Sequence, residues 1–454
     1  MQKTRHSSPT AGCKKNSGLT AARTRLLTLG IASALTLGLA AVTQAAESPQ
    51  PTTDFLVSPD SNGDSSFARL PAASDAPPSN NKSSREEFLS AIDSIEGDAG
   101  AYDEQLSQHL LGLGLNYQEL GEHDQAIESF KRAIHVSRIN EGLYNLNQVP
   151  ILERLIESHV ARGEWEEAND RHHYFYWLHR RNYGEGDPRM LPVIDKLSAW
   201  HLRAYALDIN SGLFEHLINA HNLFKLAVNI IDNNYGTNDL RLIEALRGLT
   251  ISNYYLANYQ GASDRGFQIT SNTTVSQSAE ERARLEQYKL NSYRSGKQAI
   301  SRMVDIYSNN PESPPAASVK AKIELGDWYQ MFSKYHSAVE AYQEAYNSLR
   351  DQDASSQTIE RLFGKPVALP NLPLVDTQLP EDEEPPSHVL VRFDVTTYGR
   401  ARNVEIVEAN PPDKVRIRSR VRKSLKVMKF RPRFDNGEPV QTENVTHRYL
   451  FQND

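Results

Sequence analysis

The chain has 454 residues, of which 39% are hydrophobic and 24% are charged, and its formal net charge is -7. This length and mixture exclude a wholly disordered chain and are sufficient for two or more folded units. Because the charge is small for the length, no general attraction to nucleic acid or to anionic membranes follows from it.

The N-terminal segment has the pattern of a secretory signal. An uncharged run, Leu26 to Val42, follows two arginines and is succeeded by small residues. The pattern predicts that residues 1–46 are a signal peptide cleaved after Ala45 or Ala46. The single cysteine, Cys13, would then be removed, which leaves no disulfide and no cysteine ligand. The alternative is an uncleaved anchor, since about 17 apolar or small residues can just span a bilayer.

Residues 47–85 are rich in Pro, Ser, Asp, Asn and Ala and contain few large apolar side chains. Such a segment cannot bury enough surface to offset the entropy lost on ordering. We therefore predict a disordered linker between the signal and the first folded region.

Residues 86–355 contain a repeated helical pattern. In two copies, a Leu-Gly-x-x-Tyr group is followed twelve residues after the glycine by Ala, an aromatic residue and Ala on the next helix. The matching positions are Leu113, Gly114, Tyr117, Ala126, Phe130 and Ala133 in one copy, and Leu325, Gly326, Tyr329, Ala338, Tyr342 and Ala345 in the other. This pattern resembles the tetratricopeptide repeat (TPR). The resemblance implies an all-α solenoid of stacked hairpins whose concave face binds proteins or peptides.

The repeats between these two copies are degenerate. His172 stands where an aromatic residue is usual, and another unit ends near Pro311. The pieces NYGEGDPR and NYGTNDLR resemble the inter-repeat loops of longer TPR-like repeats, as in kinesin light chains. The pattern predicts five or six helical hairpins without defining the middle boundaries.

Residues 356–387 contain repeated prolines and the acidic cluster Glu381 to Glu384. Proline keeps a linker extended and semi-rigid. We predict a Pro-rich acidic linker here, followed by a separate domain over residues 388–454.

The last region predicts the order β-β-α-β. Apolar residues alternate with polar ones on both sides of a Tyr-Gly turn, a basic amphipathic helix follows, and alternation returns before the end of the chain. The sequence resembles the C-terminal domain of TonB-type energy transducers over about the last 65 residues. The residues that carry this resemblance are Phe393, Val395, Gly399, Val404, Ile406, Phe430, Pro432, Gly437, Pro439 and Val440.

The TonB resemblance implies a small α+β domain in the periplasm of a Gram-negative cell, whose last strand accepts a peptide from an outer-membrane transporter. The predicted docking edge is Val445, Thr446, His447, Arg448, Tyr449, Leu450 and Phe451. The alternative for any one of these side chains is that it completes a small core.

The amphipathic helix also offers a basic face that includes Arg416, Arg420 and Lys423. It is either a solvated helix surface or a docking patch for acidic peptide, anionic envelope glycan or the acidic linker. Nucleic acid is not expected as a partner, because no RNA-binding signature occurs.

No pattern predicts an enzyme, a cofactor or a metal site. His172, His173 and His179, and likewise His216 and His221, lack the two-His helix motif with an intervening Glu that zinc hydrolases use. Phosphate-loop, dinucleotide and nucleophile-elbow motifs are absent from the sequence.

The sequence therefore predicts an exported protein-interaction adaptor linked to TonB-type transmembrane transport. Three alternatives stay open, one of which is an enzyme of unrecognised type. An uncleaved anchor would favour an energy transducer for outer-membrane uptake, held in the inner membrane, whereas glycan binding by the basic helix would favour an envelope or peptidoglycan scaffold.

Overall fold

The computed structural model describes residues 81–207, 209, 212–259, 279–352, 354–370, 387–410, 412 and 415–451. The predicted signal at 1–46, most of the linker at 47–85 and the acidic cluster lie outside these residues. Within the described ranges no helix is both long and apolar enough to cross a bilayer.

In the part of the chain that the structure describes, twelve α-helices precede the main sheet. They are α1 (Asn81–Asp98), α2 (Gln105–Glu119), α3 (His123–Glu141), α4 (Val149–Ala161), α5 (Trp165–Tyr183), α6 (Leu191–Ala206), α7 (Leu213–Tyr235), α8 (Leu242–Asn258), α9 (Ala279–Asn309), α10 (Ala317–Met331), α11 (Tyr335–Asp351) and α12 (Ser356–Phe363). A short 3-10 helix, Pro188–Met190, precedes α6.

Most of the described helical residues belong to five antiparallel hairpins: α2–α3, α4–α5, α6–α7, α8–α9 and α10–α11. Each hairpin also packs against the next, so one buried apolar cluster extends from Ile92 in α1 to Trp328 in α10. The predicted all-helical region is confirmed. Its stacked form follows from the fact that a single hairpin cannot bury both of its faces.

Helix glycines allow the two helices of a pair to approach closely. A Cβ added to Gly114 would lie 2.4 Å from the ring of Phe130, and one added to Gly326 would lie 2.4 Å from the ring of Tyr342. Both aromatic rings are fully buried. The small-residue positions read from the repeat pattern are therefore sites where an aromatic ring from the next helix packs directly on the backbone.

The C-terminal region contains the strands and the last helix. These are β1 (Val367–Leu369), β2 (Ser387–Val395), β3 (Ala401–Asn410), α13 (Val415–Val427), β4 (Lys429–Arg431), β5 (Arg433–Asp435), β6 (Glu438–Val440) and β7 (Thr442–Phe451). The main sheet is antiparallel in the order β3-β2-β7, while β1 pairs with β4 and β5 pairs with β6.

Alternate residues of β2 form the core of this small sheet. Val391 and Phe393 are buried beneath Val421 and Leu425 of α13. The hydrophobic stripe of the basic helix therefore covers one sheet face, as the 3.6-residue spacing predicts. A C-terminal region with strands is confirmed, with short strands β4–β6 added before β7.

The first part of the predicted linker at 356–387 is instead folded. Ser355 caps α12 by accepting a hydrogen bond from the Thr358 amide at 3.3 Å. Phe363 at the end of this helix is fully buried against Tyr346 and Phe434. The prediction from the sequence assigned this eight-residue helix to the linker, because the segment that directly follows it is rich in proline.

Candidate functional site

The predicted docking edge lies on β7, one of the two outer strands of the main sheet. Residues 445–451 pair with residues 387–393 of β2 in seven consecutive antiparallel pairs without a register shift. The single shift in this ladder falls before that stretch, where Asn444 has φ +57°. A regular seven-residue edge is about 24 Å long.

The opposite edge, β3, is irregular. Its ladder with β2 has register shifts between Leu390 and Val391 and between Arg392 and Asp394, and Asn403 has φ +52°. Bulges twist an edge and interrupt its row of unpaired N–H and C=O groups. Of the two edges, β7 is therefore the better template for an added strand.

Side chains of β7 alternate between the two sheet faces. Tyr449 pairs with Val389 on the face that α13 covers, where it is buried and its hydroxyl lies 3.7 Å from the Met428 sulfur. Burial raises the pKa of the Tyr449 hydroxyl. Thr446 and Arg448 are exposed. Alternate side chains of this strand are thus accessible, while Tyr449 belongs to the core. Within the described residues no strand pairs with the outer edge of β7.

The remaining predicted edge residues are placed as follows. Val445 is half-buried and packs against the sheet core, and His447 pairs with Val391. For Leu450 and Phe451 the structure describes only the backbone, which continues the ladder.

The basic face of α13 is exposed, as its composition suggests. Arg416, Arg420 and Lys423 are all exposed, and the helix has six Lys or Arg residues and no acidic residue. This arrangement fits both a solvated surface and a patch for an anionic partner.

The C-terminal region is anchored to the last helical hairpin by a buried ion pair. The Arg431 guanidinium in β4 donates to both carboxylate oxygens of Asp327 in α10, at 2.8 and 2.6 Å, and the two side chains are only 8% and 10% exposed. Asp327 also accepts a hydrogen bond from the Tyr342 hydroxyl at 2.7 Å. Burial and the nearby Asp327 charge raise the pKa of Tyr342 well above its ordinary value.

A second anchor joins α10 to the β2–β3 turn. The buried Gln330 amide donates to the backbone oxygens of Tyr398 and Phe430, at 2.8 and 3.1 Å. Gly399 has φ +65°, and a Cβ there would lie 1.9 Å from the Phe430 oxygen. The turn therefore requires glycine both for its conformation and for the close approach of the backbone.

Aromatic packing completes the junction. Phe434 of β5 contacts Tyr342 of α11 and Phe363 of α12, with ring centroids 5.3 and 5.4 Å apart. Several positions that carry the TonB resemblance, from Gly399 to Gly437, thus lie at or beside contacts with the helices. Sequence reasoning missed this junction, because Arg431 lies among other basic residues and no local pattern relates it to Asp327.

The histidines that attracted attention in the sequence are mostly structural. His172 is buried and stacks on Trp200 with ring centroids 4.5 Å apart, and burial lowers its pKa to about 3. The Nδ1 atoms of His201 and His216 lie 2.8 Å apart, so one ring donates to the other. Burial, followed by the His216 charge, lowers the pKa of His201 well below its ordinary value.

Of the other three histidines, His173 lies beside His201 with ring centroids 5.3 Å apart, while His179 and His221 have separate partners. His179 Nδ1 lies 2.8 Å from the Phe175 oxygen, and His221 Nδ1 lies 3.3 Å from the Ser252 hydroxyl. In the part of the chain that the structure describes, no three His, Cys, Asp or Glu side chains are arranged to hold a metal ion.

The described fold defines a stack of helical hairpins that carries a small antiparallel sheet. No protein-family model matches the chain, and no curated protein matches it significantly. Similar solved structures include BtubC (BKLC) from P. vanneervenii, with 11% identity over 61% of this chain and 94% of that chain and a TM-score of 0.33. Another is a kinesin-light-chain candidate from Podosopora anserina with nearly identical TPR-like repeats, with 15% identity over 55% of this chain and 98% of that chain and a TM-score of 0.35.

Proposed function

We propose that this protein is an interaction adaptor in which the helical stack holds a sheet edge that captures an extended segment of a partner. The observation that most supports this proposal is the difference between the two outer strands of the sheet. β7 offers seven residues in regular register, whereas β3 is interrupted by two register shifts. An added strand gains affinity from backbone hydrogen bonds and selectivity from alternate side chains.

The junction supports this function, because it fixes the sheet relative to the helices. Arg431 and Gln330 each bond across it, and both are buried. A partner captured by β7 is then presented in a defined orientation to whatever the helical stack binds. Two domains joined only by a flexible linker would not have such a fixed relative orientation.

For the cellular setting, we propose export to the periplasm of a Gram-negative bacterium, with an outer-membrane transporter as the source of the captured segment. The signal-like N-terminus and the TonB resemblance support this assignment. N-terminal sequencing of the native protein, with cell fractionation, tests it. A mature chain that begins near Ala46 in the soluble periplasm supports the adaptor, whereas an intact N-terminus in the inner membrane favours an energy transducer.

Strand capture is tested by site-specific photocrosslinking in the native cell. A benzophenone amino acid replaces Arg448 on β7, and the matched control carries it at Glu405 on β3, which is also exposed. We expect a protein adduct from the β7 position and not from the β3 position.

Two proline variants then separate capture from folding. Adjacent residues of an edge strand direct their N–H groups to opposite sides, so Thr446→Pro and His447→Pro remove one outward and one inward donor. We expect one variant to keep the parent melting temperature and lose the adduct. Retention of the adduct in the variant that folds normally would refute capture by β7.

A further inference from the structure

We infer a second partner-binding surface on the first two helical hairpins, distinct from the sheet edge, that takes an acidic peptide segment of another protein. It consists of Leu143, Tyr144, Tyr174 and Trp177, flanked by Arg138 and Arg181, and is called the aromatic surface below. The large apolar residues are well exposed: Leu143 by 60%, Tyr144 by 46% and Trp177 by 41%. Trp, Tyr and Arg are the residue types that dominate binding energy at protein interfaces.

The aromatic side chains contact one another. Trp177 lies edge-on to Tyr144, with ring centroids 5.3 Å apart, and stacks on Tyr174 at 5.9 Å. Tyr144 comes from the α3–α4 loop, whereas the other two rings come from α5. Two hairpins therefore contribute to one continuous surface.

The loop that carries Leu143 and Tyr144 is held in place by hydrogen bonds. The fully buried Gln148 amide donates to the Leu143 oxygen at 3.0 Å, and the Tyr174 hydroxyl donates to the Gln148 side-chain oxygen at 3.0 Å. The Asn182 amide donates to the Tyr144 oxygen at 2.9 Å. An ordered surface binds with a smaller entropic cost than a mobile loop does.

Two arginines give this surface its charge preference. Arg138 lies over the Tyr174 ring at 4.9 Å, and Arg181 lies over the Tyr144 ring at 5.4 Å. Within the described ranges neither guanidinium forms an ion pair, although many other arginines of the helical stack do. Stacking covers one face of each guanidinium and leaves N–H groups at its edge to donate. In Arg138 the Nε already donates to the Gln148 side-chain oxygen at 3.0 Å, so its terminal N–H groups are the ones that face a partner.

Two acidic residues close to the surface in sequence, Glu141 and Glu185, are engaged by other side chains. Glu141 accepts hydrogen bonds from Ser137 and Asn147, and Glu185 pairs with Arg180 at 3.7 Å. The surface itself is thus rich in donors and apolar area. Carboxylates beside an aliphatic side chain match this chemistry, because they supply bidentate acceptors for Arg and carbon to cover the rings.

The test measures fluorescence anisotropy of the full-length protein with labelled decapeptides. GSDELLDEGS is the acidic probe, and GSNQLLNQGS has the same shape without charge. We expect the acidic probe to bind at least tenfold more tightly, and we expect this difference to shrink as salt is raised from about 0.05 to 0.5 M.

Variants then locate the site. Trp177→Ala and Arg181→Gln are expected to weaken the acidic probe about tenfold each, a typical loss for an interface anchor. Leu290→Ala and Arg284→Gln are matched controls, because Leu290 is 80% exposed on α9 and Arg284 pairs with Glu215 at 3.5 Å. Both controls should leave the affinity unchanged.

Three outcomes would overturn the inference. Equal affinity for the two probes refutes the charge preference, and the same affinity in Trp177→Ala refutes the location. Self-association in sedimentation experiments that Trp177→Ala abolishes would assign the surface to a second copy of this chain. Melting temperatures of the variants show whether a loss of binding arises from unfolding.

Discussion

Arg431 and Asp327, which are 104 residues apart in the chain, form a two-point ion pair between strand β4 and helix α10. The Tyr342 hydroxyl also donates a hydrogen bond to the Asp327 carboxylate, and Arg431 also donates to the Leu362 oxygen at 3.2 Å. Removing one partner of such a pair leaves the other as an uncompensated buried charge. Replacing both partners with apolar residues leaves no buried charge. Single and double variants at these two positions therefore test whether the ion pair anchors the C-terminal region.

Asp327→Ala should lower the free energy of unfolding by about 3 to 5 kcal/mol, because Arg431 would be left buried without a counter-charge. Urea unfolding of the full chain measures this loss. The double variant Asp327→Leu with Arg431→Met should recover most of it. Asp305→Ala, at an exposed position of the neighbouring helix α9, is the matched control. A loss no larger than that of the control would contradict the anchoring role.

Gly399→Ala should also destabilise the protein. Its φ of +65° disfavours any side chain by about 1 to 2 kcal/mol. The added Cβ would in addition meet the Phe430 oxygen, which is backbone and cannot rotate away. Gly186→Ala is the control, since a Cβ there meets nothing within 4 Å. Thermal melting of the two variants should show a clear decrease only for Gly399→Ala.

Local patterns in the sequence predicted the elements well. The repeat of glycine and aromatic residues at fixed spacing identified α2–α3 and α10–α11, because Gly114 and Gly326 each receive a ring from the next helix. The alternation at Val391 and Phe393 identified β2, because these side chains lie on the covered sheet face. Both signals report contacts between segments that are close in sequence.

The junction could not be predicted in the same way. Arg431 belongs to a stretch with many cations, and its buried position depends on Asp327, which no local periodicity relates to it. Helix α12 was missed for a related reason, since its burial depends on Phe434. Long-range pairing of single residues leaves no repeating pattern in one sequence. The preference for β7 over β3 as the docking edge likewise depends on the register shifts of β3, which the sequence does not reveal.

Phe363→Ala tests whether residues 356–363 belong to the folded core. Phe363 is fully buried between the last hairpin and strand β5, so its truncation should cost about 3 to 5 kcal/mol of unfolding free energy. Leu290→Ala removes an apolar side chain that is 80% exposed and should cost far less. Equal and small losses in urea unfolding would mean that α12 does not contribute to the core.

His172 should make the helical stack less stable in acid. Burial, with the nearby Lys196, His173 and Arg203 charges, lowers its folded-state pKa from 6.5 to about 3. Between these values the unfolded chain binds a proton that the folded chain does not. Stability therefore falls as the pH falls through this window, by about 1.4 kcal/mol per pH unit for one such group.

His172→Phe should remove this dependence while keeping the stacking on Trp200. Within the described residues the Nδ1 atom of His172 has no hydrogen-bond partner, so the phenyl ring also eliminates a buried unsatisfied nitrogen. We expect the variant to be more stable than the parent at pH 7 and to lose stability less steeply between pH 6 and pH 4. His109→Phe, at a histidine on α2 that is only partly buried, controls for the change in ring type. Urea unfolding at a series of pH values measures both slopes, and parallel slopes for parent and His172→Phe would show that His172 binds its proton in the folded state.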